Sequence, residues 1–263
     1  MANLINQRWL LAILNSKRLE ATGKQEFCPI DCIDSALADA LNEAFDSLVV
    51  SKKNRTNRSF CEFLARSPRD RITIGNFPDV SAWLAAFEAS SSGRKDSEHK
   101  KGTNKLAMPL INLARPADFS VYDGEISKDI YDAGQIESDE GITAIITTMP
   151  ISLDYKVWVA SDERESLGMV ITALSFWLRL YVSQGQASFS AISELAEAEI
   201  EINCVFEGQK SIAFQDITTG TEADRIFAAS LDLTVIADLP IASYVKQKRT
   251  KINVSAEVMS EDF

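Results

Sequence analysis

The chain has 263 residues, 46% of them hydrophobic and 25% charged, which is the composition of a globular protein with a sizeable core. Its formal net charge is −11, and this argues against a protein that binds duplex nucleic acid through a basic face. No run of about 18 apolar residues occurs, and no basic segment precedes the first apolar run, so we expect neither a membrane span nor a signal peptide. The sequence predicts a protein that is made and kept in a cytoplasm.

The first 88 residues are predicted to be rich in helix. Apolar residues at helical spacing predict two helices, over about residues 3–20 and about residues 31–50. Three further elements complete this part, and they are a short helix at 60–64, a strand at 71–74 and a helix opened by Pro78-Asp79.

Two polar stretches interrupt this pattern. Residues 52–58 form the only strongly basic run, which we interpret as a solvated loop between helices; an acidic partner surface or nucleic acid is the alternative ligand. Residues 89–105 have no apolar period, and we predict a flexible loop there that orders on assembly. This loop contains His99, the only histidine of the chain, which is therefore expected to be solvated.

Residues 106–240 are predicted to hold a mostly antiparallel sheet and one long helix. The segment 106–113 has strand character, although Pro109 favours an edge strand or a bulge. The polar and turn-rich segment 118–139 is expected to cross the surface. A strand rich in Thr and Ile, at 142–149, then leads into the central unit of the chain.

That central unit is a strand followed by an amphipathic helix, and the rest of the chain is expected to pack against it. Apolar and polar residues alternate from 151 to 159, which is the period of a strand with one buried face. Ser161 is a plausible N-cap for the helix that follows. The apolar stripe of this helix consists of Leu167, Val170, Ile171, Leu174, Trp177, Leu178 and Tyr181.

The remaining segments predict a loop, two strands and a tail. Residues 183–190 are rich in Ser, Gln and Gly and are expected to form a loop, whereas 199–206 and 227–236 alternate as strands. The tail, 241–263, is first basic and then alternates weakly at Ile252, Val254, Ala256 and Val258, so it could form a strand that pairs with a neighbouring chain. We therefore predict one α+β domain, in which a mostly antiparallel sheet packs with amphipathic helices and carries long interaction loops.

The search for catalytic chemistry gives one weak candidate. Pro78-Asp79 with Glu98-His99-Lys100 spells a loose form of the metal-binding motif of many nucleases, in which Asp79 and Glu98 would hold a divalent cation and Lys100 would stabilise charge. That chemistry requires both halves on adjacent strands, whereas here one opens a helix and the other lies in a polar loop. A metal-dependent nuclease is therefore kept only as an alternative from a different class.

Other candidate ligands are explained better as structural residues. Four carboxylates cluster late in the chain, but two of them share the outward face of a strand, so a solvated face is favoured; they are Glu194, Glu197, Glu199 and Glu201. The four cysteines are predicted to be reduced and mostly buried thiols, because no CxxC pair occurs. We assign no catalytic, cofactor-binding or metal-binding residue, and we expect a structural or interaction protein rather than an enzyme.

Several short motifs occur in an order that resembles the proximal tail-sheath stabiliser, or tail terminator, family of large contractile-tailed bacteriophages. The family is similar to this chain in the order of its elements: a strand that begins with proline, a polar segment, a second strand, an acidic turn, a long helix and a late strand. The matching residues are Met108-Pro109-Leu110-Ile111-Asn112-Leu113, Asp118-Phe119-Ser120, Pro150-Ile151-Ser152-Leu153-Asp154-Tyr155-Lys156-Val157-Trp158-Val159 and the strand 226–239.

The resemblance implies a virion protein without catalytic residues. It implies a tail-terminator-like fold and a homohexameric ring that caps the tail tube, holds the last ring of the tail sheath and joins the tail to the neck and head. Such a ring would be assembled in the host cytoplasm, and another head–tail connector protein is the alternative within this class. The expected contact segments are the loops 89–105 and 118–139 and the tail 241–263, with no membrane and no sequence-specific nucleic acid as partner.

Overall fold

Two strands of 21 residues each form the centre of the protein. In the computed structural model, which describes residues 19–92, 108–121, 132–138, 141–183, 188–207, 212–218 and 226–247, Gly141–Ser161 forms β6 and Phe227–Gln247 forms β10. They pair antiparallel without a break, from Phe227 opposite Ser161 to Tyr244 opposite Ala144. The alternation predicted for residues 151–159 is confirmed, since Ile151, Leu153, Tyr155, Val157 and Val159 all point into the main core.

The other elements flank this pair or cover its faces. In chain order the elements are β1 (Leu19–Phe27), α1 (Asp31–Asp46), a short 3-10 helix (Arg55–Asn57), α2 (Arg58–Leu64), α3 (Pro68–Arg71), β2 (Ile72–Ile74), α4 (Val80–Ser92), β3 (Leu110–Ala114), β4 (Ser120–Val121), β5 (Asp132–Ser138), β6, α5 (Arg164–Ser183), β7 (Ser188–Leu195), β8 (Ala198–Phe206), β9 (Gln215–Asp216) and β10.

The strands form one curled sheet whose main path is β2-β3-β6-β10-β8-β7. Strands β4 and β5 also pair with β6, and β1 and β9 with β10. Among the described residues, every pairing is antiparallel except that of β2 with β3. Helices packed on a mostly antiparallel sheet confirm the predicted α+β class.

Two prolines mark the point where the flanking strands change. Pro150 lies opposite Asp238, and Pro240 lies opposite Thr148. In the described residues, 148–150 fall between the partners of β4 and β5, and 238–240 fall between the partners of β8 and β1. Because proline has no N–H to donate to a ladder, these gaps are where it disturbs pairing least.

The core has two parts, one on each side of the sheet. Helices α1 and α5 pack on the main face, where Leu37 of α1 and Val170 and Leu174 of α5 are fully buried. A smaller cluster on the opposite face forms under α4, where Trp83 stacks at a tilt on Trp158 with ring centroids 6.3 Å apart.

Several sequence predictions are wrong at the borders of elements. Leu19 and Glu20 begin β1 rather than ending a helix, and the rest of the predicted helix at 3–20 lies outside the described residues. Strand β10 runs to Gln247, seven residues into the segment predicted as a tail, because β1 pairs with it there. The predicted loop at 183–190 gives way to β7 at Ser188, where β8 supplies the pairing.

Two further predictions need correction. The segment 118–139 does not simply cross the surface, since it contributes β4 and β5, both of which pair with β6. Strand β3 is neither an edge strand nor a bulge: it lies between β2 and β6, and Pro109, preceded by a cis peptide bond, comes just before it. Helix α4 extends to Ser92, and 93–105 of the predicted flexible loop lie outside the described residues.

Candidate functional site

Helix α1 lies between the two terminal strands of the sheet path, β2 and β7, and contacts both. Its apolar stripe fills the main core with Ile33, Leu37, Leu41, Ala44 and Phe45. Its outward side is a polar ridge in which an exposed side chain recurs every fourth residue, at Asp31, Ser35, Asp39 and Glu43. A groove opens on each side of this ridge.

The groove between α1 and β2, here called the α1–β2 groove, has a volume of about 590 Å³. Asp39 and Asn42 line it from α1, and Arg69 and the residues of β2 (Ile72–Ile74) line it from the other side. The Asn42 side chain donates from Nδ2 to Ala38 O (3.1 Å) and to Pro68 O (3.2 Å). Its Oδ1 is buried and accepts no hydrogen bond from the described residues.

An unpaired buried acceptor is costly, at about 1–3 kcal/mol. Asn42 is only 4% exposed, so bulk water does not readily compensate Oδ1. Because Oδ1 has less than 1 Å² of accessible surface, a donor in the groove would reach it only after the Asn42 side chain or its neighbours move. Sequence reasoning missed this residue, although a polar side chain beside Leu41 on the apolar side of a helix is a detectable signal.

Strand β2 presents an open edge to the same groove. The N–H of Gly75 donates to Leu113 O over 3.0 Å, which continues the parallel ladder in which Thr73 pairs with Asn112. Backbone groups alternate in direction along a strand, so those of Ile72 and Ile74 point away from β3. The side chain of Ile74 is 48% exposed at this edge.

The second groove, between α1 and β7, has a volume of about 600 Å³. Its lining includes Asp39 and Glu43 from the polar ridge and Phe189 and Ile192 from β7. Ile192 is 66% exposed, although it belongs to a regular strand. Both terminal strands thus carry an exposed isoleucine beside a groove.

A buried ionic cluster fixes α1 against the sheet. Asp34 accepts two hydrogen bonds from the Arg115 guanidinium, from Nε to Oδ1 (2.8 Å) and from a terminal nitrogen to Oδ2 (3.2 Å). Tyr155 O–H donates to the same Oδ1 over 2.7 Å. Hydrogen bonding to Asp34 raises the pKa of Arg115, so the guanidinium stays charged. The cluster sets the position of both grooves, because α1 forms a wall of each.

Two thiols meet at the beginning of α1. The sulfurs of Cys28 and Cys32 are 3.6 Å apart, and Cys32 Sγ donates to Pro29 O over 3.0 Å. Burial, with a further contribution from Cys28, raises the pKa of Cys32 to about 12, and burial raises that of Cys204 to about 12 as well. All four cysteines are free thiols, as predicted, and Cys28 and Cys204 are buried.

The residues of the nuclease motif are not brought together in the described structure. Asp79 precedes α4, and its Oδ1 accepts a hydrogen bond from the Ala82 N–H over 2.8 Å, which is the role of a helix cap. Glu98 and Lys100 lie outside the described residues, as does His99.

The late carboxylates lie on the hairpin of β7 and β8, where Glu194 is opposite Glu199. Glu199 and Glu201 are exposed on one face of β8, as the sequence predicts. Within the ranges that the structure describes, no group of three or more His, Cys, Asp or Glu side chains is arranged to hold a metal ion.

Two of the predicted polar segments have structure of their own. The basic run 52–58 leads into the 3-10 helix, where Asn54 and Asn57 form a reciprocal capping box. In the predicted contact segment 118–139, Phe119 and Val121 expose 47% and 60% of their surface at β4. None of the helices among the described residues is long and apolar enough to cross a membrane.

The comparisons with known proteins add no relative to this description. No protein-family model matches the chain, and no curated protein matches it. The site is therefore defined by its geometry alone: a polar helix ridge with an open sheet edge and a groove on each side.

Proposed function

We propose that this chain is a structural subunit of a contractile bacteriophage tail, a tail terminator or sheath stabiliser that forms a ring. The ring caps the tail tube, holds the last sheath ring and joins the tail to the neck. The observation that carries the proposal is the pair of open strand edges, β2 and β7, on either side of α1. The order of short motifs that resembles the tail-terminator family supports this choice of assembly.

Open strand edges are sites where another chain can pair. The edges β2 and β7 differ in sequence and neighbours, and each carries an exposed isoleucine, Ile74 or Ile192. A contact that joins one edge region of a subunit to a different surface of the next is heterologous, and such contacts close into rings when the rotation permits.

The positions of the family-like motifs support the same proposal. Residues 110–113 lie in β3, 150–159 in β6 and 227–239 in β10. These three strands are neighbours in the sheet, in the order β3-β6-β10. The motifs that carry the resemblance thus form one continuous piece of the fold rather than scattered fragments.

Native mass spectrometry across a concentration series, with negative-stain images, tests the proposal. Six subunits of 29.0 kDa would give a species of about 174 kDa with a ring shape. Mixing the protein with polymerised tail tubes should then cap the tube ends. A protein that stays monomeric at all concentrations and leaves tube ends free would overturn the proposal, and rings that bind isolated necks but not tubes would favour another connector.

A further inference from the structure

We propose that the α1–β2 groove is the docking site for residues 252–256 of a second copy of this chain, which add to β2 as an extra strand. The inference rests on the proposed assembly function, and it names the contact by which one subunit holds the next.

The open edge supplies the backbone partners. Because the ladder with β3 uses Thr73 and Gly75, the C=O of Ile72 and the N–H and C=O of Ile74 point away from β3, whereas the N–H of Ile72 closes the last turn of α3. An added strand would lie about 4.8 Å from β2, at the spacing of neighbouring strands. Its backbone would satisfy groups that the subunit alone leaves to solvent.

The chain after β10 has the composition that this groove requires. Ile252, Val254 and Ala256 alternate with Asn253 and Ser255, which is the pattern of a strand with one apolar face. Only residues 248–251 separate Gln247 from Ile252, so at roughly 3.3 Å per residue the segment begins within about 17 Å of the end of β10. Residues 252–256 would therefore dock on a copy whose α1–β2 groove lies next to that end.

The charges match as well. The uncharged segment 252–256 is bounded by Lys251 on one side and Glu257 on the other. The groove likewise carries one acidic and one basic exposed side chain, Asp39 and Arg69. Lys251 beside Asp39 and Glu257 beside Arg69 would fix the direction of the added strand.

The groove beside β7 fits this segment less well. Its lining has two acidic side chains, Asp39 and Glu43, and no basic one among the described residues. Because the two grooves share Asp39 and each has an exposed edge isoleucine, the β7 groove is a matched control for the β2 groove.

Disulfide trapping between two full-length variants tests the docking. One protein carries Ile74→Cys and the other Val254→Cys, so that a link between positions 74 and 254 can form only between two copies. After mixing and mild oxidation with oxidised glutathione, peptide mass spectrometry should find the 74–254 link in good yield. In the control, an Ile192→Cys protein replaces the Ile74→Cys protein. The yield of the 192–254 link should be at least about tenfold lower than that of the 74–254 link.

A charge exchange gives a second readout in the same assay. Adding Arg69→Glu to the Ile74→Cys protein should lower the yield several-fold, and adding Glu257→Arg to its partner should restore it. Absence of the 74–254 link, or an equal yield with the Ile192→Cys control, would overturn the docking. A single chain that carries both Ile74→Cys and Val254→Cys is the further comparison. If the 74–254 link forms only in that protein, the segment binds its own subunit and the docking between copies is overturned.

The outcome is separable from that of the proposed function. Hexameric rings without the 74–254 link would contradict the proposed docking and would leave the proposed ring unaffected. A 74–254 link in open assemblies of subunits that never close into a ring or cap a tube would support the docking and contradict the terminator function.

Discussion

Tyr155 O–H donates to Asp34 Oδ1 over 2.7 Å and so joins the central strand β6 to helix α1 across 121 positions of sequence. Arg115, at the end of β3, holds the same carboxylate. The helix that separates the two open edges is therefore fixed by one buried carboxylate that three elements share. Changes at this cluster should alter both grooves together.

Tyr155→Phe should destabilise the fold moderately. The substitution removes one donor but keeps the ring in the core, and Asp34 keeps its two bonds from Arg115. A hydrogen bond to a charged group contributes about 1.5–3 kcal/mol, so we expect a loss near the lower end of that range in urea-induced unfolding. A loss below about 0.3 kcal/mol would show that the hydroxyl contributes nothing to the link between β6 and α1.

Asp34→Ala should be more damaging, because it removes both close hydrogen bonds of the mostly buried Arg115 guanidinium and leaves it only the exposed Asp31, at 3.7 Å. Breaking a buried pair from one side costs about 3–5 kcal/mol. The double variant Asp34→Ala with Arg115→Met should recover part of the loss, since both charges are then removed. Equal stabilities of the single and double variants, measured by urea unfolding, would contradict this coupling.

Glu26 should stabilise the protein in a pH-dependent way. Its carboxylate accepts hydrogen bonds from Tyr244 O–H and the Ala196 N–H, and these lower its pKa below the ordinary 4.5. A lowered folded-state pKa gives stability that is present above the unfolded-state pKa and is lost as pH falls through the folded-state value. The difference in Tm between the natural protein and Glu26→Gln should therefore hold from pH 7 to about pH 5 and shrink towards pH 3. A difference that is constant down to pH 3 would refute the assignment.

Cys32 should react slowly with alkylating reagents although it is only partly buried. Its pKa is raised to about 12, so at pH 8 far less thiolate is present than for a thiol of pKa 9.0. Iodoacetamide labelling of Cys32 at pH 8 should be at least about a hundred-fold slower in the folded protein than in urea-unfolded chain. Peptide mass spectrometry reads both rates, and similar rates would contradict the raised pKa.

The same shift affects stability in alkali. The unfolded chain releases the thiol proton at a lower pH than the folded chain, so the stability from Cys32 is complete below about pH 9 and is lost as pH rises towards 12. Cys32→Ser should flatten this part of the stability curve. Tyrosines and lysines titrate in the same range, and the difference between the two proteins removes their contribution.

Trp83→Ala should strongly destabilise the smaller core. Trp83 is 1% exposed, contacts Trp158 and donates from Nε1 to Thr73 Oγ1 over 3.1 Å. Truncation of a buried aromatic costs about 3–5 kcal/mol. Phe176→Ala on α5 is the control, since Phe176 is 63% exposed and its loss should cost under about 0.5 kcal/mol in the monomer. Comparable losses for the two variants would rule out the second core as a stabilising element.

Much of the fold follows from local periodicity. The i, i+4, i+8 spacing of Ile33, Leu37 and Leu41 predicts α1, and the alternation after Pro150 predicts the core face of β6. What periodicity does not show is that the strand continues through Pro150. Ala144 and Ile146 face the main core before the proline, and Ile151 and Leu153 after it, so the alternation changes phase and suggests two strands where there is one.

Local periodicity also does not predict polar edge strands. Ser188 and Ser190 in β7 are exposed and have no apolar signal, so their strand conformation depends on pairing with Val205 and Asn203 in β8. Such pairing is a tertiary property that a local window cannot contain. For the site, Asp34 could have been detected as a carboxylate within the apolar stripe of α1, but its partner Arg115 lies 81 positions away.

The continuous pairing of β6 with β10 also determines how the subunit would carry force. Backbone hydrogen bonds in an antiparallel pair run perpendicular to the strands. Tension along the β6–β10 pair therefore loads these bonds in shear, and all of them share the load at the same time. At Pro150 and Pro240 no flanking strand of the described structure assists, and the two strands bear the whole load there. The sheet is thus stiff in tension along its length, and its narrowest section, at the two prolines, is where it should bend first.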